Sequence, residues 1–136
     1  MTRANIPIDS DADIVRARQE GRMIAEKIGF RSSDLAVIAT AISEVARNIV
    51  EYGVRGEILI NRIDDGSTRI GIEVVARDDG PGIRDLERAL QDGYSTGKGL
   101  GLGLPGCRRL MDEFTVRCGG DTSGTTVWMR KWLVER

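Results

Sequence analysis

Glycines crowd one short stretch of the chain, and their spacing favours phosphate binding. Five of the seventeen glycines lie within residues 97–106, and four of them alternate with other residues from Gly97 to Gly103. Glycine lets a ligand approach the main chain closely, and the apolar pattern after Gly103 predicts a helix start, whose N–H groups attract anions. The stretch therefore predicts a phosphate cradle, although it matches neither the GxxxxGK(S/T) loop nor a dinucleotide fingerprint. The alternative is a loop without a ligand.

A second candidate group is the acid–amide pair formed by Glu44 and Asn48. Two residues four positions apart on a helix project from the same side of it. Apolar residues recur every three or four positions over residues 32–52, which predicts an amphipathic helix. At about 100° per residue the pair lies roughly 150° from the middle of the apolar stripe. Periodicity alone therefore predicts that both side chains face solvent.

The other elements must position these groups. A hairpin is predicted where residues 64–67 (DDGS) join two β-rich runs, and residues 78–82 (DDGPG) predict a turn. Residues 9–11 and 32–34 offer N-cap side chains for the first two helices. The predicted strands cover residues 5–8, 57–63, 68–75, 114–118 and 125–133. The predicted helices cover residues 11–28, 32–52, 84–91 and 104–112, and residues 91–103 are predicted to form a movable lid.

The order of these elements predicts the fold class. Consecutive hairpins exclude an all-parallel sheet, so we expect an α+β two-layer sandwich with a mixed, mostly antiparallel sheet covered on one face by helices. With 136 residues and no linker or repeat, the chain is predicted to be a single domain over residues 1–136. The N-terminal segment predicted as a strand, residues 5–8, contains Pro7, which is tolerated at a sheet edge.

Composition excludes several classes of function. Twenty Lys and Arg against 21 Asp and Glu leave a net charge of −1, which gives no electrostatic basis for binding nucleic acid or an anionic membrane. No apolar run reaches the roughly 20 residues of a membrane span, and we expect a cytoplasmic protein with Cys107 and Cys118 reduced. The chain has no histidine. This excludes a Ser-His-Asp mechanism, zinc sites that need histidine, and phosphohistidine formation on this chain.

Four motifs, in order, resemble the boxes of the GHKL ATP-binding superfamily, which includes gyrase, Hsp90, histidine kinases and MutL. Residues 44–48 (EVARN) resemble its N box and residues 78–82 its DxGxG box. Residues 99–104 (GLGLGL) resemble its second glycine box, and residues 124–126 (GTT) its final GT element. The resemblance implies the Bergerat fold, which agrees with the two-layer layout. It also implies ATP and Mg²⁺ as cofactors.

The resemblance further implies a role for each motif residue. Glu44 is expected to accept the proton of the attacking hydroxyl, and the amide oxygen of Asn48 is expected to be a magnesium ligand. Asp78 is expected to accept a hydrogen bond from the exocyclic amine of adenine. The other expected ATP contacts are Gly80, Gly82, Lys98, Gly99, Leu100, Gly101, Leu102, Gly103 and one of Thr125 and Thr126. The alternative for Lys98 is a solvated surface lysine.

Within the superfamily, the size and residues 99–114 look closest to the serine/threonine switch kinases of bacterial stress-response modules, in the anti-sigma regulatory kinase family. That likeness implies transfer of the ATP γ-phosphate to a serine or threonine of a STAS-domain partner of the stressosome type. It also implies later binding of a downstream phosphatase or other output enzyme. One alternative is an anti-sigma factor that sequesters a sigma factor and phosphorylates its antagonist. Another is a nucleotide-gated scaffold.

Overall fold

The elements follow one another as the sequence predicts, with small shifts of their ends. The computed structural model describes residues 3–53, 55–80, 103–118 and 124–133. The elements are β1 (Arg3–Ile8), α1 (Asp11–Ile28), α2 (Ser32–Tyr52), β2 (Gly56–Asp64), β3 (Ile70–Asp78), α3 (Gly103–Leu110), β4 (Glu113–Cys118) and β5 (Thr125–Trp132). The predicted helix over residues 84–91 and the predicted lid up to residue 102 lie outside the described residues.

The strands form one sheet in the spatial order β1-β2-β3-β5-β4. Each of the four pairings is antiparallel, so the described sheet is antiparallel throughout rather than mixed. Strand β1 pairs with β2 and lies at an edge, as the proline in it predicted. Strand β3 extends to Asp78, three residues beyond its predicted end, because Ala76, Arg77 and Asp78 pair with both β2 and β5.

Helices cover one face of this sheet and enclose the core. Helix α1 packs against α2, β1 and β2, while α2 packs against β3 and α3. Alternate residues of the strands point to this face and are buried against the helices. They include Ile6, Ile8, Ile58, Ile60, Ile72, Val74, Ala76, Val127 and Met129. The two-layer α+β sandwich predicted from the order of elements is confirmed.

The ends of α1 and α2 show where local prediction succeeded and failed. The Asp13 carboxylate accepts hydrogen bonds from the backbone N–H groups of Asp9 and Ser10, which lower its pKa. Gly29 ends α1 with a φ of 125°, a conformation that favours glycine. The predicted caps of α2 were wrong, since residues 32–34 lie inside its first turn. The extended residue Arg31 holds the N-cap position, and its carbonyl accepts the Leu35 N–H at 2.8 Å.

Among the described residues, no helix is both long and apolar enough to cross a membrane.

Candidate active site

Glu44 is buried, although periodicity alone placed it in solvent. Its exposed fraction is 4%, and Asn48, one turn further along α2, is half-buried. Helix α2 packs against the sheet and also against α1 and α3. The Cys107 thiol of α3 contacts the Ala41 carbonyl oxygen at 3.6 Å. A helix that packs against a sheet and also against other helices buries more of its surface than one apolar stripe. The periodicity of the α2 sequence does not reveal these additional contacts.

Two side chains in the described part of the chain interact with the Glu44 carboxylate. Arg47 Nε lies 4.0 Å from Glu44 Oε2, within ion-pair range. Cys107 of α3 is fully buried, and its pKa is raised to about 12 by burial and then by the negative charge of Glu44. The thiol is therefore protonated and neutral near pH 7. A carboxylate largely removed from water and next to a guanidinium is suited to accept a proton from a neighbouring hydroxyl.

Asp78 ends β3 on the helix-covered face, because it continues the alternation of Val74 and Ala76. The Gly80 N–H donates to Asp78 Oδ1 at 2.9 Å. Burial raises the pKa of Asp78, and hydrogen bonds from the backbone of Gly80 and Thr125 partly offset that rise. The carboxylate keeps further acceptor capacity, since each carboxylate oxygen can accept more than one hydrogen bond. Asp78 is thus a half-buried acceptor at the end of the sheet.

The C-terminal end of α2 touches the segment around Asp78. A Cβ built on Gly53 would lie 2.6 Å from the Cβ of Asp78, closer than real Cβ atoms approach. A Cβ on Gly80 would collide with the Tyr52 carbonyl oxygen and the Gly53 Cα. Glycine at both positions therefore lets the helix that carries Glu44 and the turn after β3 meet backbone to backbone. Sequence reasoning gave Gly53 no role, because a glycine after a helix is usually a stop signal.

The two candidate threonines lie on opposite faces of β5. Thr125 pairs with Asp78, is buried and shares the helix-covered face with it. Thr126 pairs with Arg77 and points to the other face. The preceding Gly124 has a φ of 116°, and a Cβ there would lie 2.7 Å from the Asp78 carbonyl oxygen. Of the two threonines, only Thr125 is placed beside the Asp78 side chain.

The glycine stretch is described only at its end. Gly103 is the first residue of α3, and Pro105 lies in the first turn of that helix, where a missing N–H leaves no intrahelical bond unmade. Gly103 therefore lies among the residues whose N–H groups have no intrahelical acceptor. The remaining predicted ligands of this region lie outside the described residues. They are Gly82, Lys98, Gly99, Leu100, Gly101 and Leu102.

A cavity of about 790 Å³ opens at the same end of the sheet. Its lining includes Asp78, Thr125 and one row of residues that crosses all five strands on the face away from the helices. That row consists of Pro7, Glu57, Arg77, Thr126 and Arg117. Neither Glu44 nor Asn48 lines this cavity, so it is separate from the acid–amide pair.

No group of three or more His, Cys, Asp or Glu within the described ranges could hold a metal ion. A cation beside Asn48 would thus need most of its ligands from the substrate and from water, which is how Mg²⁺ is usually bound with nucleotides.

Comparisons with known sequences agree with these features. The family model of the histidine kinase-like ATPase domain matches residues 8–131. The chain is 46% identical over 128 residues to the serine/threonine-protein kinase RsbT of Bacillus subtilis, covering 94% of this chain and 95% of the relative. It is 32% identical over 135 residues to the serine-protein kinase RsbW of Bacillus licheniformis, covering 88% and 77%. It is 33% identical over 105 residues to an anti-sigma F factor of Thermoanaerobacter, covering 74% and 71%.

Solved structures share the fold at lower identity. The RsbU and RsbW domains of a Mycobacterium tuberculosis protein superpose with a TM-score of 0.63 at 23% identity, covering 98% of this chain and 34% of that one. A mycobacterial sensor histidine kinase, MprB, superposes with a TM-score of 0.57 at 20% identity, covering 95% and 97%.

Proposed function

Because the chain belongs to the histidine kinase-like ATPase domain family and is a serine/threonine-protein kinase, we propose that it phosphorylates a STAS-domain partner. The donor is the γ-phosphate of ATP, and the acceptor is a serine or threonine hydroxyl. The observation that carries this proposal is the burial of the Glu44 carboxylate on the side of α2 that also bears Asn48.

The chemistry requires a base and little covalent help from the protein. The acceptor oxygen attacks the γ-phosphorus while its proton passes to the Glu44 carboxylate. The bond between the γ-phosphorus and the bridging oxygen breaks, and ADP leaves. Glu44 then returns the proton to solvent or to the products. Because Glu44 is only 4% exposed, competing water has little access to its carboxylate.

Asn48 fits the role of a magnesium ligand. Its amide offers a neutral, hard oxygen donor, and it lies half-buried one turn after Glu44. When bound, Mg²⁺ would neutralise charge on the β- and γ-phosphates. Asn48 would hold that ion through its amide oxygen, with the remaining ligands supplied by the nucleotide and water.

The adenine end of the nucleotide is assigned to the segment around Asp78. Its carboxylate accepts a hydrogen bond from the exocyclic amine, which favours adenine over guanine, and Thr125 lies beside it on β5. Gly82 is assigned to leave space for the purine against the backbone, while the space beside Gly80 is filled by Tyr52 and Gly53. Thr126, on the other face, is not assigned a contact with adenine.

The phosphates are assigned to the glycine stretch and the start of α3. Backbone N–H groups of Gly99, Leu100, Gly101, Leu102 and Gly103 donate to phosphate oxygens, and Lys98 neutralises charge at the γ-phosphate. The N-terminus of α3 at Gly103 supports this assignment, because a helix N-terminus favours anions.

The proposed STAS-domain partner is inferred from the regulatory kinases and anti-sigma factors that this chain resembles. Relatives named as a serine/threonine-protein kinase, a serine-protein kinase and an anti-sigma F factor support a partner switch. In this switch, phosphorylation of the STAS partner releases the kinase, which then binds an output enzyme such as a phosphatase. The second candidate is an anti-sigma factor that sequesters a sigma factor and phosphorylates its antagonist. Its support is the 33% identity to an anti-sigma F factor.

The test is incubation of the purified chain with labelled ATP, Mg²⁺ and STAS-domain proteins from its own genome, followed by mapping of the labelled residue. The proposal expects label on one serine or threonine of a STAS domain with wild-type protein, and labelling slowed by roughly 10²–10⁴-fold with Glu44→Gln, which should still bind ATP. A stable complex with a sigma factor, together with labelling of its antagonist, would instead support the second candidate. Undiminished transfer by Glu44→Gln would refute Glu44 as the base.

A further inference from the structure

We propose that Arg47 is a positioning residue for the phosphoryl transfer: its guanidinium holds the Glu44 carboxylate in the orientation that accepts the hydroxyl proton. The inference rests on the proposed function of Glu44 as the base. The resemblance of residues 44–48 to the N box assigns no role to Arg47, which lies between the acid Glu44 and the amide Asn48 in that motif.

The first support is the geometry of the pair. Arg47 follows Glu44 by three positions, so both side chains lie on neighbouring parts of the α2 surface. Arg47 Nε is 4.0 Å from Glu44 Oε2, longer than a hydrogen bond and within the range of an ion pair. The Glu44 side chain is 5% exposed and the Arg47 side chain 32%. Solvent therefore screens this pair less than the exposed ion pairs of the same protein.

The second support is a donor without an acceptor. Arg47 Nε is a buried atom that makes no hydrogen bond within the part of the chain that the structure describes. Buried polar groups almost always have partners. The nearby Glu44 carboxylate is an acceptor that a small side-chain rotation would bring within reach. Catalytic hydrogen bonds in free enzymes are often long and shorten in the substrate complex.

The third support is the charge around the carboxylate. Cys107 approaches Glu44 from α3, and its thiol is neutral because its pKa is raised to about 12. The thiol does not offset the negative charge of Glu44, whereas the guanidinium does. Arginine is suited to this task, because its planar group keeps its charge and fixes the direction of its N–H donors.

The experiment measures single-turnover transfer to the STAS substrate, with enzyme in excess, for four variants. They are Arg47→Met, Arg47→Lys, Glu44→Gln and the double variant Glu44→Gln/Arg47→Met. The matched control is Arg62→Met, which removes an arginine from an exposed pair with Asp64, 3.6 Å apart at the hairpin end of the sheet. Thermal unfolding and nucleotide affinity are recorded for each variant.

We expect Arg47→Met to slow transfer by on the order of 100-fold, because misplacing a reacting group by about 1 Å lowers the rate by about that factor. The KM for ATP and the nucleotide affinity should stay within about twofold of wild type. Arg47→Lys should recover part of the rate. Arg47→Met should cause no further loss when Glu44 is already Gln, and Arg62→Met should match wild type.

Three results would overturn the inference. One is an unchanged rate in Arg47→Met. Another is an equal loss from Arg47→Met whether residue 44 is Glu or Gln, which would mean that Arg47 acts independently of Glu44. The third is full activity of Glu44→Gln, which would remove the proposed base itself and so identifies a failure of the proposed function. If Arg47→Met does not fold, the rate of Arg47→Lys decides: a wild-type rate refutes positioning by the planar group.

Discussion

Gly53 and Asp78 are in contact so close that no side chain fits between them. A Cβ on Gly53 would lie 2.6 Å from the Asp78 Cβ and 2.7 Å from its Cγ. Gly53 directly follows α2, and Asp78 ends β3. Because a helix advances about 1.5 Å per residue, this contact also sets how far Asn48 and Glu44 stand from Asp78. The spacing of the proposed site is therefore fixed at the end of a helix.

We expect Gly53→Ala to weaken both the fold and nucleotide binding. The φ of −94° at Gly53 suits alanine, so the cost is the clash with Asp78 and not backbone strain. Overpacking of this kind costs about 1–3 kcal/mol. Urea unfolding and titration with ATP measure the two effects. The control is Gly66→Asn in the hairpin turn, where nothing lies within 4 Å of a Cβ and asparagine tolerates the φ of 78°. Wild-type values for Gly53→Ala would show that the segment adjusts freely.

Asp78→Asn should reduce ATP affinity by about tenfold to 100-fold, the usual effect of losing a charged hydrogen-bond partner. Discrimination between ATP and GTP should fall with it, because the acceptor for the adenine amine is weakened. Calorimetric titration with each nucleotide tests both statements. Asp79→Asn is the matched control, since that neighbouring carboxylate is exposed and faces Arg55 at 3.7 Å. Equal losses in the two variants would contradict a specific role for Asp78.

The raised pKa of Asp78 predicts a pH dependence with a definite sign. Burial favours the protonated form in the folded state, so this carboxyl binds a proton there at pH values where the unfolded chain has released it. The free energy of unfolding of wild type, relative to Asp78→Asn, should therefore fall as pH rises from about 3.8 through the folded-state pKa, and then level off. ATP affinity should rise over the same interval, because the ionised form is the better acceptor. Urea unfolding and ATP titration at several pH values would contradict this if either trend were reversed.

Asn48→Ala should remove the part of ATP affinity that depends on Mg²⁺. Wild-type protein should bind ATP more tightly with Mg²⁺ than with EDTA, and the variant should bind equally under both conditions. In wild type the ATP affinity with Mg²⁺ should exceed that with EDTA by on the order of tenfold, an effect similar to that of removing a residue that supports a metal site. Gln19→Ala, which removes an exposed amide from α1, is the control. A variant that keeps the full Mg²⁺ effect would leave Asn48 as a surface amide.

Cys107 should resist alkylation in the folded protein. With a pKa of about 12, roughly one thiol in ten thousand is ionised at pH 8, and the thiolate is the reactive form. Iodoacetamide labelling followed by peptide mapping should find Cys107 unmodified under native conditions and modified in urea. Rapid native labelling at this residue would show that α3 separates from α2 in solution.

The fold was predictable because its signals are local. The apolar repeat over residues 32–52 and the DDGS turn each specify one element without reference to the rest of the chain. The misplaced end of β3 has a different cause. The sequence DDG is typical of a turn, yet Asp78 remains paired with Thr125 because β5, far away in the chain, extends the ladder.

The surroundings of the site were harder to predict, for the same reason. Glu44 is buried in the fold, and α3, one of the helices packed against α2, follows it by about sixty residues. The periodicity of α2 alone therefore wrongly predicts that Glu44 faces solvent. The order of the four motifs identified Glu44 and Asp78 as candidate site residues, whereas the periodicity of the sequence did not. Neither motif order nor periodicity assigned a role to Gly53 or Arg47. Their proposed roles depend on the close approach of Gly53 to Asp78 and on the ion pair of Arg47 with Glu44, which only the fold reveals.

The position of β5 between β3 and β4 has a consequence for how the protein is made. The strand synthesised last among those described is an interior one, so β4 has nothing to pair with until β5 emerges from the ribosome. Until then, β3 carries an open hydrogen-bonding edge from Gly71 to Asp78. An unpaired strand edge favours aggregation, so we expect the nascent chain to be exposed to it until β5 pairs with β3 and β4.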